Sequence, residues 1–176
     1  MKKIYLLLIL VLPSAIYIIL TTGKHNFINL PIVGPNSDST YHKIPYFSFK
    51  NQFGDTISSS DYEGSIYVAN FFFTTCPTIC PPMTHQMLRI QQKIVNDSTF
   101  KILSHSINPE YDNPEVLLAY GKNFGADFKN WNFVTGNKES IYSIAKSYFV
   151  NVMEDSLAPG GFLHSEYFVL IDKEGR

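Results

Sequence analysis

An α/β fold built on a parallel-rich sheet follows from three features of this 176-residue chain. Short runs rich in β-branched and aromatic residues alternate with amphipathic stretches, the pattern that places helices on the faces of a largely parallel sheet. One run, "SIYVANFFF" from Ser65 to Phe73, is almost continuously apolar, as a central strand buried on both faces must be. Its end leads through a proline-rich turn into a helical pattern, and sites in such folds gather at the carboxyl ends of strands.

The N-terminus stands apart. Lys2 and Lys3 precede an apolar run from Ile4 to Leu20 that only Pro13 and Ser14 interrupt. The run is longer than a signal-peptide core, and no small-residue cleavage site follows it. Residues 1–23 are therefore expected to form an uncleaved membrane anchor rather than a cleaved signal. With Lys2 and Lys3 held in the cytoplasm, the anchor would be a single pass through the inner (cytoplasmic) membrane. Under either reading the remainder is exported, to the periplasm or otherwise outside the cytoplasm. Residues 24–40, rich in Pro, Gly, Asn and Ser, read as a linker. Residues 41–176 are long enough for one compact domain with its own core. A net charge of −1, with 14 basic and 15 acidic residues intermixed, gives no electrostatic footprint for nucleic acid.

Within that domain, Ile44 to Ser58 is expected to make two short strands around a turn at Asn51 to Asp55. Gly54 supplies the permissive backbone, and the hairpin forms a sheet edge. After the central strand, a helix is expected from about Pro82 to Asn96, with Met83, Met87, Ile90 and Ile94 on its apolar stripe and His85, Arg89, Gln92 and Lys93 on its polar side. "FKILSHSI" (Phe100 to Ile107) is the next strand. Asn113 and Pro114 open a helix as cap and first residue, and Gly125 closes it. "WNFVT" is a strand, Asn137 caps a helix to about Phe149, "VNVM" is a short strand, and "SEYFVLID" (Ser165 to Asp172) is the last strand, reached through the loop "DSLAPGGFLH".

The only two cysteines, Cys76 and Cys80, lie in "FFFTTCPTICPPM", Phe71 to Met83. A disulfide between them closes too short a loop to staple a domain, so the pair calls for a chemical explanation. The proline after each disfavours helical geometry at the cysteines, whereas Pro81 and Pro82 suit the first turn of the following helix. The thiols thus occupy a helix N-terminus, where the dipole and free N–H groups favour thiolate. Thiolate is both nucleophile and soft metal ligand. Across about one helical turn the two Cβ atoms stand roughly 5–6 Å apart, against about 3.5–4.5 Å in a disulfide. Oxidation therefore needs some adjustment, while one ion can be gripped without strain. Thiolates select Cu(I), which a third, imidazole ligand would complete; zinc normally takes four ligands in a closed site.

Five histidines compete for that third position. His25 and His42, in or near the linker, are expected to be solvated. His85 belongs to the polar side of its helix. His105, inside a strand, is expected to be partly buried and hydrogen-bonded. His164 ends the Gly-rich loop and begins the last strand, where it could face the cysteine turn; spacing alone leaves its role open. Met83 and Met87 fit the core stripe, and Asp112 and Glu115 fit capping and dipole roles at a helix start.

Three segments in order resemble the Sco/SenC copper-binding proteins of cytochrome c oxidase assembly. "FFFTTCPTICPPM" is similar to the family's Cys-Pro-x-x-Cys-Pro signature. "SINPEYDNPEVLLAYGKNFG" is similar to its Ser-x-Asp-Pro-x-x-Asp segment, and "FLHSEYFVLIDKEG" to the segment carrying its histidine ligand. The resemblance implies a thioredoxin-like fold, with copper bound as Cu(I), or also as Cu(II), by Cys76, Cys80 and His164. It further implies membrane tethering and a metal-transfer role rather than an enzymatic one, with subunit II of cytochrome c oxidase, or another copper acceptor, as partner. Thr78 and Asn108 stand where many members carry Asp. The chain also stops at Arg176 where the family continues with a further strand and helix, so the domain is expected to be truncated. The rival reading is an exported thiol–disulfide oxidoreductase with Cys76 and Cys80 as its redox pair and His164 dispensable. A peroxiredoxin-like site is disfavoured, since Phe73 and Pro77 stand where it would need Thr or Ser.

Overall fold

The computed structural model describes residues 2–22, 30–35, 41–94 and 97–176. The chain divides into two units, Met1–Ile32 and Val33–Arg176. In the first, helix α1 (Lys2–Thr22) covers the apolar run, with Pro13 inside it. Among the described residues no helix is long and apolar enough to cross a membrane, so the expected anchor rests on the sequence. Of the linker, residues 30–35 form neither helix nor strand; His25 lies outside the described residues.

The second unit opens with strands β1 (Ser48–Asn51) and β2 (Thr56–Ser58), paired antiparallel as expected. Asn51 makes the turn between them: its Oδ1 accepts the N–H groups of Phe53 and Asp55, both at 2.9 Å, and Gly54 takes φ 84°. Then follow β3 (Ile66–Phe72), α2 (Cys80–Ile94), β4 (Phe100–Ser106), α3 (Pro114–Phe124), β5 (Trp131–Thr135) and α4 (Lys138–Ser147). Asn113 and Asn137 cap α3 and α4 by accepting the N–H groups of Val116 and Ser140, each at 3.0 Å, and Gly125 ends α3 at φ 78°. The chain closes with β6 (Val152–Glu154), β7 (Phe162–His164) and β8 (Val169–Ile171).

Among the described residues the main sheet has six strands in the order β2-β1-β5-β4-β3-β8. Its centre is parallel, β3 against β4 and β4 against β5, while the opening hairpin and β8 join antiparallel on either side. Successive strand residues point to opposite faces, so Phe71 and Phe72 report the two layers. Phe72 meets Tyr120 of α3 (ring centroids 5.1 Å), and Phe71 meets Tyr148 at the end of α4 (5.7 Å). Helices α3 and α4 therefore cover opposite faces.

Two expectations shift. Helix α4 stops at Ser147 rather than near Phe149, which takes φ 58°. The last strand is not a continuous Ser165 to Asp172: only Val169–Ile171 joins the main sheet, and Phe162–His164 instead pairs with β6 as a separate two-stranded hairpin. Three-residue strands beside Pro159, Gly160 and Gly161 carry too little periodicity to be read against a loop.

His105 is a further correction. It is fully buried, and among the described residues neither ring nitrogen has a hydrogen-bond partner. It stacks on Phe71 at 4.8 Å, and Phe47 and Phe49 approach edge-on. His42 departs too: its Nε2 reaches the Ser147 carbonyl at 2.8 Å instead of being solvated.

Burial pushes the His105 pKa down to about 3 from its ordinary 6.5. The folded state therefore keeps the ring neutral over a range in which the unfolded chain protonates it. The stabilisation is complete above about pH 6.5 and is lost as pH falls toward 3. At pH 4.5 the single site should cost about 2–3 kcal/mol relative to neutral pH. Denaturant unfolding at pH 7.5 and 4.5 checks this: His105→Phe should lose that share of the acid sensitivity, and an unchanged pH difference would contradict it.

Candidate metal centre

The chain leaves β3 at Phe72 and must turn into α2 within seven residues. As expected from the prolines, the turn carries Cys76, and α2 begins at Cys80, slightly earlier than the sequence suggested. Starting a helix leaves its first N–H groups without intrahelical partners. The N–H of Cys80 is one of these and donates to Cys76 Sγ at 3.4 Å. Thr84 Oγ1 donates to the Cys80 carbonyl at 2.9 Å and is met by Tyr120 OH at 2.7 Å, fixing the first turn of α2 against α3.

A buried carboxylate holds the other end of the turn. Asp112, fully buried, accepts the N–H of Thr74 at 3.1 Å, the Thr74 hydroxyl, and the Ser106 hydroxyl at 2.5 Å. It is thus not the capping or dipole partner expected; Asn113 caps α3, and Glu115 keeps its place in the first turn. Burial raises the Asp112 pKa, although the Ser106 and Thr74 donors oppose that. One carboxylate therefore ties the carboxyl ends of β3 and β4 together two residues before Cys76. Thr74 lies two residues past β3, and Ser106 is the last residue of β4.

His164 comes from β7, in register with Val152. Its Nε2 lies 3.4 Å from Cys80 Sγ, and its Nδ1–H donates to the Ser165 carbonyl at 3.1 Å. A carbonyl can only accept, so this bond assigns the tautomer and leaves the Nε2 lone pair facing the thiols. The two Sγ atoms and a His164 ring nitrogen all lie within 4.8 Å of one another. Cys76 and Cys80 are both free.

The two thiols differ. Burial disfavours the Cys76 thiolate, but the N–H groups of Cys80 and Thr78, with their side chains, outweigh it and lower the pKa. Cys80 is fully buried, and burial pushes its thiol well up, with the neighbouring Cys76 adding to the rise. Burial also lowers the His164 pKa, favouring the neutral ring that ligates. A cavity of about 380 Å³ opens beside the group, lined by Phe73, Cys76, Ile79, Pro159, Phe162 and His164. Met83 and Met87 are buried in the core as expected, and His85 stays exposed on α2.

Two sulfurs and one imidazole, brought together from a turn, a helix start and a separate hairpin, suit one soft ion. The SCO1/SenC family model matches residues 35–176. The chain belongs to the SCO1/SenC family. It is 33% identical over 141 residues to the SCO1 protein homolog of Bacillus subtilis, covering 79% of this chain and 73% of that one. BsSco, described as a member of the Sco family of cytochrome c oxidase assembly proteins and as having a disulfide switch, superposes with a TM-score of 0.67 at 31% identity, over 81% of this chain and 84% of its own. Arabidopsis thaliana ScoI with copper bound gives 0.64 at 27%, over 75% and 83%. The fold is the thioredoxin-like one of these SCO1/SenC structures. Between the cysteines, Thr78 places a hydroxyl 3.8 Å from Cys76 Sγ.

The Asp112 anchor has a direct test. Thr74→Val removes one hydroxyl donor from a buried carboxylate, and a hydrogen bond to a charged acceptor is worth about 1.5–3 kcal/mol. Denaturant midpoints should fall accordingly for Thr74→Val and hardly at all for Thr74→Ser. Equal midpoints for both variants would refute the anchoring role.

Proposed function

We propose that this chain binds a single copper ion, as Cu(I), through Cys76, Cys80 and His164, and passes it on during assembly of a cytochrome c oxidase. The observation that carries this reading is the convergence of two thiol sulfurs and an oriented imidazole within 4.8 Å. The donor chemistry supports copper over zinc, since the group has three members among the described residues and structural zinc takes four. The copper-bound ScoI and the assembly role of the Sco family named for BsSco point the same way. Cys80 is sealed beneath the surface, whereas Cys76 and His164 line the cavity. An acceptor's ligand therefore meets those two first. The acceptor in this reading is the dinuclear copper site of oxidase subunit II. The apolar run behind Lys2 and Lys3 supports a tether to the cytoplasmic membrane with the domain outside the cytoplasm.

Cu(I) titration of the reduced protein against a competing chelator tests the reading. The unsubstituted protein should take up one ion tightly, and Cys76→Ser and Cys80→Ser should each lose it. Outer-shell partners alone cost roughly 10–100-fold in metal affinity, so His164→Ala should cost at least that much. Unchanged affinity in all three variants would sink the proposal.

A second reading, thiol–disulfide exchange with a partner's cysteines, is favoured by the asymmetry of the pair. Only Cys76 lines the cavity, and Cys80 is fully buried behind it. The Cys76 thiolate would attack a partner's disulfide and expel its other sulfur as a thiolate, and Cys80 would then resolve the mixed disulfide, leaving Cys76 and Cys80 bridged and the partner reduced. Under that reading Cys80→Ser should accumulate a mixed disulfide with a disulfide-bonded model peptide, and Cys76→Ser should not. Equal trapping by both variants would argue against the assignment.

A further inference from the structure

His164 sits on a hairpin of two three-residue strands, β6 and β7, and a two-stranded hairpin is marginal in water by itself. Something must seat it. The Phe73 ring, buried and one residue past β3, packs against Phe162 at 5.1 Å and lies edge-on to His164 at 6.1 Å. The turn before β7 reaches the same ring. Gly160, at φ 80°, approaches so closely that a Cβ there would lie 2.6 Å from Phe73 Cε2, 3.0 Å from Cζ and 3.4 Å from Pro77 Cδ. The first of these is closer than a Cβ ever packs against another atom, and the second is tight. Pro77 directly follows Cys76, so the turn before β7 meets the cysteine turn here as well as through Cys80 and His164.

We propose that the close approach of Gly160 to the Phe73 ring is a positioning contact that sets the distance from His164 to the two thiols. This rests on the copper-binding reading above and deepens it. Val152 and Phe162 pack the hairpin onto the core, whereas the ion pair of Lys138 with Glu154 is exposed and shared with Glu110; such pairs contribute little. Gly160 itself is exposed, but the ring it meets is buried and held between Phe162 and His164. A methyl group at 160 lifts the turn, and β7 carries the displacement four residues on to His164.

The neighbouring glycine supplies the control. Gly161 has nearly the same backbone conformation, φ 86°, but a Cβ there meets nothing within 4 Å. Gly160→Ala and Gly161→Ala therefore share the left-handed backbone strain, and only the first adds the clash. Reduced full-length protein is titrated with Cu(I) alone against a chelator, while the His164 ring signals are followed by NMR. Gly160→Ala should weaken binding roughly tenfold or more, the scale on which supporting residues act at metal sites. Its His164 ring should no longer respond to the ion, and Gly161→Ala should behave as the unsubstituted protein. Adding Gly160→Ala to His164→Ala should cause no further loss. If Gly160→Ala leaves too little folded protein, Phe73→Leu with Gly160→Ala, which makes room for the methyl, should restore the response of the His164 ring. Equal behaviour of the two glycine variants, additive losses in the double variant, or no restoration on shortening Phe73 would overturn the proposal. Absence of tight binding by the unsubstituted protein, or indifference to His164→Ala, would instead overturn the copper reading itself.

Discussion

The in-register parallel pairing of β3 with β4, from Ile66 opposite Phe100 to Phe72 opposite Ser106, is the constraint on which the site depends. It brings the ends of the two strands side by side, so that Thr74 and Ser106 fall within reach of one carboxylate. Asp112 occupies that place because burying it without donors would cost several kcal/mol, on the order of the penalty for any unpaired buried charge. Once Thr74 is held, the turn from β3 to α2 has little freedom, and the start of α2 directs the Cys80 N–H at the Cys76 sulfur. The thiols are placed by strand register first and by helix geometry second.

The same end of the sheet sorts the two sulfurs by environment. Cys80 is sealed under α2 and α3 by the contact between Thr84 and Tyr120, and its thiol resists ionisation. Cys76 stands at the cavity with N–H groups directed at it, and its thiolate is favoured. An incoming soft ligand or electrophile therefore encounters an unequal pair. The two proposed readings, metal transfer and disulfide exchange, would both draw on such an inequality.

Much of this was legible in the residues. The apolar run ending at Phe73, the prolines flanking the cysteines, and the Asn caps with their downstream N–H partners are local signals, and the structure realises each. The unread features are those in which tertiary packing overrode a local prior. Asp112 looked like an ordinary residue at a helix start, because the sequence does not reveal that two hydroxyl donors meet it there. His105 was assigned the usual buried histidine's hydrogen bond, whereas aromatic packing from Phe47, Phe49 and Phe71 excludes any partner among the described residues. The spacing of His164 left it undecided between surface and site. Its position was settled by a hairpin too short to announce itself.

That hairpin belongs to a two-stranded sheet of its own, outside the hydrogen-bonded ladder of the main one. Proteins open in sub-global units whose free energies lie well below that of complete unfolding, and elements with few ladder bonds occupy the low end. The imidazole and the sulfurs thus sit on parts of the molecule with different opening thermodynamics. In the copper-transfer reading the site has a tight closed state and a looser open one, and cargo held by three donors can be surrendered by two without the core ever melting.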